Sequence, residues 1–256
     1  MKIGVAGCTG RVGALLIEEI LSGNWAGLEL AGGTAPDAGV VPVDYFTTTE
    51  PADLFKRADA VIDFTRPEAT LKHVQIAAET NTAMIIGTTG LSADDEAQLA
   101  KAAEKTPIIY AANMSVGVNL LLALVEKAAS TLDPAGWDIE IFESHHKHKV
   151  DAPSGTALAI GKAAAEGRNV NLNDVKVAAR DGITGERENG SIGFSVARGG
   201  DVVGEHTAYF YAAGERIELS HIATNRALFA KGALRAAGWL KDQPPGLYSM
   251  RDVLDL

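Results

Sequence analysis

Three of the six histidines of this 256-residue chain fall within four positions, in Glu143-Ser-His-His-Lys-His-Lys-Val-Asp-Ala-Pro-Ser-Gly-Thr-Ala157. An imidazole ordinarily titrates near neutrality and an ammonium can also give up a proton, so a stretch holding His145, His146, His148 and Lys149 can move protons. Ser154-Gly-Thr156 stands just before an Ala- and Leu-rich run, where hydroxyls and free backbone N–H groups collect at a helix start and attract anions. Two alternatives stand beside this one. The stretch could be a solvated loop with an ordinary cap, or His145, His146 and His148 could ligate a metal. Adjacent histidines on an extended chain point to opposite faces and no cysteine lies nearby, so no metal is expected.

The elements that must position these groups can be read on either side. Ile139 and Ile141 alternate with Asp138 and Glu140, which predicts a strand entering from Trp137. Asp151-Ala-Pro153 stops regular structure, and the run from Thr156 through Ala165 predicts a helix leaving.

The first 116 residues alternate strands with helices. Ile3-Gly-Val-Ala6 leads into Gly7-Cys-Thr-Gly10-Arg-Val-Gly13 and then Ala14–Leu21 at helical spacing. That context turns a glycine pattern into a dinucleotide fingerprint, with glycines for the tight turn and a helix N-terminus for the pyrophosphate. A plain strand–helix turn is the other reading. Leu28–Ala31, Ala58–Phe64, Ala83–Ile86 and Pro107–Tyr110 are further strands, with helices at Glu68–Thr80 and from Ser92. A parallel, doubly wound sheet follows. Its ligands bind beyond the carboxyl ends of the strands, where Gly87-Thr-Thr-Gly90 and Ala111–Ser115 fall. Between Ala31 and Asp37 no acidic residue is available for a ribose, and no Lys or Arg lies between Arg11 and Lys56 for a 2′-phosphate, so cofactor preference is open.

After the helix Val118–Thr131 the pattern changes to β-rich runs at Val175–Ala179, Ser191–Arg198, Val202–Ala212 and Glu215–Ile222. Short links at Gly199-Gly-Asp201 and Ala213-Gly214 predict antiparallel neighbours. The expected fold class is thus α/β: an N-terminal Rossmann-type doubly wound parallel sheet plus an α+β domain with a mostly antiparallel sheet. The expected boundaries are 1–116, completed by 226–256 through a helix from about Asn225 to Leu240 and the tail Pro244–Leu256, and 117–225.

Composition narrows the function classes. Hydrophobic content of 46% and charged content of 22% are those of a globular protein. A net charge of −10 argues against nucleic acid or an anionic membrane, so an anionic ligand needs local basic groups such as the His/Lys loop. One cysteine, Cys8, allows no internal disulfide and fits the cytoplasm, with no signal-peptide core and no run of membrane-spanning length expected.

Taken together, Gly7–Gly13, Asp63-Phe-Thr-Arg-Pro-Glu68, Gly87–Gly90, Ala111–Gly117, Glu143–Ala157, Gly185-Glu-Arg187, Arg198–Asp201, Gly204-Glu-His-Thr207 and Met250–Asp255 resemble the dihydrodipicolinate (4-hydroxy-tetrahydrodipicolinate) reductase family of the diaminopimelate route to lysine, over essentially the whole chain. The resemblance implies NADH- or NADPH-dependent reduction of a small cyclic dicarboxylate with loss of water. It implies His145 as acid–base histidine and Lys149 as second proton donor, with His146, Ser154, Gly155 and Thr156 on the substrate. It implies Gly7, Cys8, Thr9, Gly10, Arg11, Val12, Gly87, Thr88, Thr89, Ala111, Ala112, Asn113 and Met114 on the cofactor, and a homotetramer. The chain departs from the family pattern at Gly33–Pro36, where many members carry an acidic residue. Two rivals are weighed against it: another two-domain dehydrogenase, such as a homoserine or aspartate dehydrogenase, and a non-catalytic nucleotide sensor. Neither has a need for His145 and Lys149 together.

Overall fold

The computed structural model describes residues 1–36, 44–178 and 180–256. It divides into two compact units, Met1–Val116 with Arg226–Leu256, and Gly117–Asn225.

The first unit opens with β1 (Lys2–Ala6), α1 (Arg11–Leu21), β2 (Glu29–Thr34), β3 (Thr47–Thr48), α2 (Pro51–Phe55), β4 (Ala60–Asp63), α3 (Pro67–Thr80), β5 (Ala83–Ile86), α4 (Ala93–Ala103) and β6 (Pro107–Tyr110). β4 and β5 are buried along their whole length, as the apolar runs Ala60–Ile62 and Ala83–Ile86 require for strands covered on both faces. α4 starts at the expected Ser92 with a capping box in which Ser92 and Asp95 satisfy each other's backbone N–H groups. β2 runs on past the expected Leu28–Ala31 through Gly32-Gly-Thr34. There the glycines are needed, because a side chain at Gly33 would strike Cys8 Sγ.

The second unit contains α5 (Val116–Thr131, its first residue in the first unit), β7 (Asp138–His145), α6 (Gly155–Gly167), α7 (Leu172–Val175), β8 (Lys176–Val177), β9 (Ile192–Arg198), β10 (Gly204–Ala212) and β11 (Glu215–Ala223). The sheet order is β11-β10-β7-β9-β8. β10 pairs antiparallel with β11 and β7, while β9 pairs parallel with β7 and β8. The Gly199-Gly-Asp201 link therefore does not join neighbours: β7 lies between β9 and β10. The reason is burial. Ile139 and Ile141 are the inward residues of β7, and a central place sets them between Ile192 and Phe194 on one side and Ala208 and Phe210 on the other, all in one core. The expected strand at Val175–Ala179 is limited to Lys176–Val177, with Ala179 outside the described residues.

The chain then returns to the first unit as α8 (Ala227–Leu240), β12 (Gly246–Tyr248) and α9 (Met250–Leu254). β12 adds to β6, giving a seven-stranded sheet β12-β6-β5-β4-β1-β2-β3 in which every pairing is parallel. β1 is the strand at which the winding reverses, and the register Ala6 to Asp63, Asp63 to Ile86 and Ile86 to Tyr110 aligns the carboxyl ends of β1, β4, β5 and β6. The loops that follow these strands share one edge of the unit, the usual place for ligands in such sheets.

Candidate active site

The glycine loop packs onto its own helix. Gly7 has φ +69°, in the left-handed region glycine favours, and a side chain at Gly13 would run into the Gly7 carbonyl. Gly7 N–H donates to Thr34 Oγ1 at 3.0 Å and Cys8 N–H to the Thr34 carbonyl at 2.9 Å. Gly10, the residue before α1, has no side chain to cap it, so the N-terminus of α1 carries no side-chain cap. Thr9, Gly10 and Arg11 are exposed and Val12 is half-buried. Cys8 is buried at 2% exposure, and that burial raises its thiol pKa, so it is a packing residue of the loop.

The β5 loop is held from beneath. Asp63 is fully buried and accepts from Thr65 N–H at 2.8 Å and Thr65 Oγ at 2.6 Å, with His73 Nδ1 at 2.8 Å. Burial alone would raise the Asp63 pKa, but His73 and Thr65 outweigh it and hold the carboxyl below its ordinary value. Thr88 Oγ donates to Asp63 at 3.4 Å and accepts from Thr70 at 2.8 Å. Thr88 thus turns its side chain inward; Gly87 is buried beside it against Phe64, and Thr89 is exposed. Ala111, Ala112 and Asn113 follow β6 with Met114 buried behind them, its carbonyl pressed against Gly232 of α8. Asp37, the first acidic residue after Ala31, lies outside the described residues.

In the second unit the histidine loop leaves the end of β7. The backbone of the β9–β10 link closes over it: Gly199 N–H donates to the His145 carbonyl at 2.9 Å, His146 N–H to Val202 at 2.8 Å and Lys147 N–H to Gly200 at 3.3 Å. His145 is 9% exposed, with Nδ1 2.5 Å from Glu143 Oε2. Glu143 also accepts from Ser154 N–H at 2.9 Å and from both Arg198 amino groups at 2.8 Å. Burial pushes the Glu143 pKa up, but the bonds from Arg198, His145 and Ser154 outweigh it, so the carboxylate stays ionised. Ser154 caps α6 by accepting from Ala157 N–H at 3.2 Å, and its hydroxyl meets His206 Nε2 at 3.1 Å. His206 stands edge-on to His145, with ring centroids 5.1 Å apart.

The structure therefore brings His145, Ser154 and the start of α6, where Gly155 is exposed and Thr156 half-buried, into one cluster. Lys149 is linked to it at one remove: its ammonium pairs with Asp151 at 2.8 Å, and the Asp151 carbonyl accepts from Arg198 at 2.7 Å. His146 and His148 lie with ring centroids 6.3 Å apart, outside the Glu143–His145–His206 group. That group has ligand atoms within 4.8 Å of one another. Both Glu143 oxygens are nevertheless bound to Arg198, whose cation a metal would have to displace. Sequence reading gave no role to Glu143, Arg198 or His206. The one available signal was the two-residue spacing of Glu143 and His145, which puts them on the same face of a strand.

Burial and the neighbouring His145 hold the His206 pKa down from 6.5 to about 4. The neutral imidazole is the folded form, whereas the unfolded chain takes up a proton once pH falls below about 6.5. Stability is thus flat above pH 6.5, declines between 6.5 and about 4, and is flat again below, a fall of about 3 kcal/mol from this group. Urea unfolding of the wild type and of His206→Gln at stepped pH tests it: the variant loses this part of the slope, and parallel curves would exclude His206 as its source.

Residues 1–114 match the family described as dihydrodipicolinate reductase, N-terminus, and residues 117–254 its C-terminus. The chain is 50% identical to the 4-hydroxy-tetrahydrodipicolinate reductase of Dinoroseobacter shibae, over 98% of this chain and 97% of that protein, and 50% identical to that of Polynucleobacter necessarius, over 100% and 99%. A dipicolinate-bound dihydrodipicolinate reductase from Paenisporosarcina shares the fold with a TM-score of 0.81, at 23% identity over 97% of each chain. An aspartate dehydrogenase from Thermotoga maritima is more distant, with a TM-score of 0.53 and 12% identity over 95% of this chain and 98% of that one. With both halves matched in order and half of all positions identical to these relatives, the chain belongs to the dihydrodipicolinate reductase family.

Proposed function

We propose that this chain reduces 4-hydroxy-tetrahydrodipicolinate to tetrahydrodipicolinate with NAD(P)H, with loss of water, in the diaminopimelate route to lysine. The observation that carries this reading, beside family membership, is the seating of His145 against the N-terminus of α6 through Glu143 and Ser154. Gly7–Val12 at the start of α1, the backbone of Gly87–Thr89, and Ala111–Met114 would hold the dinucleotide, and the open first turn of α1 suits its pyrophosphate. When bound, the nicotinamide supplies a hydride. His145 then gives a proton to the atom left electron-rich, and Lys149 serves as the second donor. His146, Ser154, Gly155 and Thr156 bind a substrate carboxylate, with backbone N–H groups and the α6 dipole as the attracting partners. An aspartate dehydrogenase or a nucleotide sensor would have no use for this proton-donating cluster.

The open face of the second sheet presents Phe142 and Tyr211 at 36–37% exposure, a surface for copies to assemble on as a homotetramer. Among the described residues no helix is long and apolar enough to cross a membrane, and a single buried cysteine suits a reducing cytoplasm.

The test is oxidation of NADH and of NADPH with the product of dihydrodipicolinate synthase as substrate. Turnover is expected with both. Gly33–Pro36 carries neither a carboxylate to repel a 2′-phosphate nor a guanidinium to attract it, so kcat/KM should differ by no more than about tenfold to a hundredfold. No turnover with either cofactor would leave the sensor reading. A far larger preference would place a ribose reader elsewhere.

A further inference from the structure

On β7 the alternation that buries Ile139 and Ile141 continues into Glu143 and His145. A strand repeats its facing every second residue, so the core face that starts apolar ends in a carboxylate beside an imidazole. Register supplies the rest. Arg198 of β9 stands opposite His145, and His206 of β10 opposite Glu143. We propose that Glu143, held by Arg198, is a positioning residue for His145: it fixes the imidazole with Nδ1 protonated and turned inward, leaving Nε2 as the nitrogen that passes the proton. This rests on the reading of His145 as proton donor and adds the tautomer and the group that sets it.

Chemistry fixes the direction of the bond. An ionised carboxylate only accepts, so the 2.5 Å contact requires a hydrogen on Nδ1. Glu143 stays ionised because it is paired with Arg198 through both oxygens and accepts a third donor from Ser154. Nε2 lies on the other side of the ring, against Gly204, where an added Cβ would stand only 3.0 Å away. Glycine there leaves that nitrogen uncovered by a side chain. The titratable groups around the ring are Glu143 on β7, Arg198 on β9, His206 on β10 with His221 of β11 beyond it, and Lys149 with Asp151 in the loop. Among these Glu143 is the anion in direct contact with His145, and Arg198 the cation that balances it.

The balance gives a signed test in pH. If protonated His145 is the acid, kcat falls with rising pH along one limb of the profile. Glu143→Gln removes the anion and leaves the Arg198 cation, so that limb moves to lower pH, by about one pH unit or more. At neutral pH kcat drops about ten- to a hundredfold, KM changes little, and acid pH restores part of the rate. Glu143→Asp keeps the charge and recovers part of the wild-type profile. Arg198→Met leaves the anion unbalanced and moves the same limb to higher pH. A merely structural pair would not shift the limb in opposite directions in the two variants. Should neither variant fold, nitrogen NMR of the wild-type histidines reads the tautomer directly. In the neutral ring, Nδ1–H with a bare Nε2 supports the assignment, and Nε2–H with a bare Nδ1 overturns it. Unshifted limbs, or limbs shifted the same way, also overturn it. His145→Gln separates the two levels: full activity in that variant removes His145 from the chemistry altogether, whereas a slow His145→Gln with an unchanged Glu143→Gln sinks only the positioning role.

Discussion

His145→Gln should lower kcat by about 10² to 10⁴, the usual worth of a positioned general acid, with cofactor binding unchanged. Glutamine suits the comparison because its amide can still donate to Glu143, so the buried carboxylate keeps a partner and the cluster keeps its shape. What glutamine cannot do is titrate. The cofactor candidates at Gly7–Val12 and Gly87–Thr89 belong to the other compact unit and are left unaltered by the substitution. Steady-state kinetics on the variant, with circular dichroism and melting to show that it is folded, decide the matter. A folded variant with near-wild-type kcat would leave His145 a buried histidine with no part in catalysis.

Lys149→Ala should raise the substrate KM and weaken inhibition by pyridine-2,6-dicarboxylate, a flat mimic of the two substrate carboxylates. The structure shows why the ammonium is available. It is paired with Asp151 at 2.8 Å, yet Asp151 is 54% exposed, and an exposed pair is worth about 1 kcal/mol or less. Exchanging Asp151 for a ligand carboxylate in a less hydrated pocket therefore costs little. A lost hydrogen bond to a charged group is worth about 1.5 to 3 kcal/mol, or roughly tenfold to a hundredfold in the inhibition constant. kcat should fall as well if Lys149 is the second proton donor. Combined with His145→Gln, the loss should be smaller than the product of the two single losses, because two groups serving one proton-transfer step cannot each be removed in full. Unchanged inhibition in Lys149→Ala would place the carboxylate away from this lysine. Inhibition competitive only with the cofactor would move the site away from the start of α6.

Much of the molecule was legible in the sequence because its signals are local. Short apolar runs between turn residues read as strands buried on two faces, and Ala60–Ile62 and Ala83–Ile86 are that. Glycines at positions 7, 10 and 13 between a strand and a helix determine a tight loop on a helix N-terminus, since Gly7 is left-handed and a side chain at Gly10 or Gly13 would press on the Gly7 carbonyl. Ser154 before an Ala-rich run determines a capped helix start. The histidine–lysine stretch is so particular in its order that it identified the family before any fold was known.

What the sequence could not determine is what depends on neighbours far along the chain. The short 199–201 link suggested that β9 and β10 lie side by side, yet β7 sits between them, because the strand order is decided by which apolar faces must be buried. That single insertion builds the site. It brings Arg198, 55 residues from Glu143, onto the same carboxylate from one side, and His206, 52 residues from Ser154, onto the serine hydroxyl from the other. It also draws the 199–203 link across the backbone of the histidine loop. In a linear reading Glu143 was one more charge beside a polar loop. Only the tertiary structure makes it a buried anion with four donors, since burial and register, unlike periodicity, are properties of the assembled sheet.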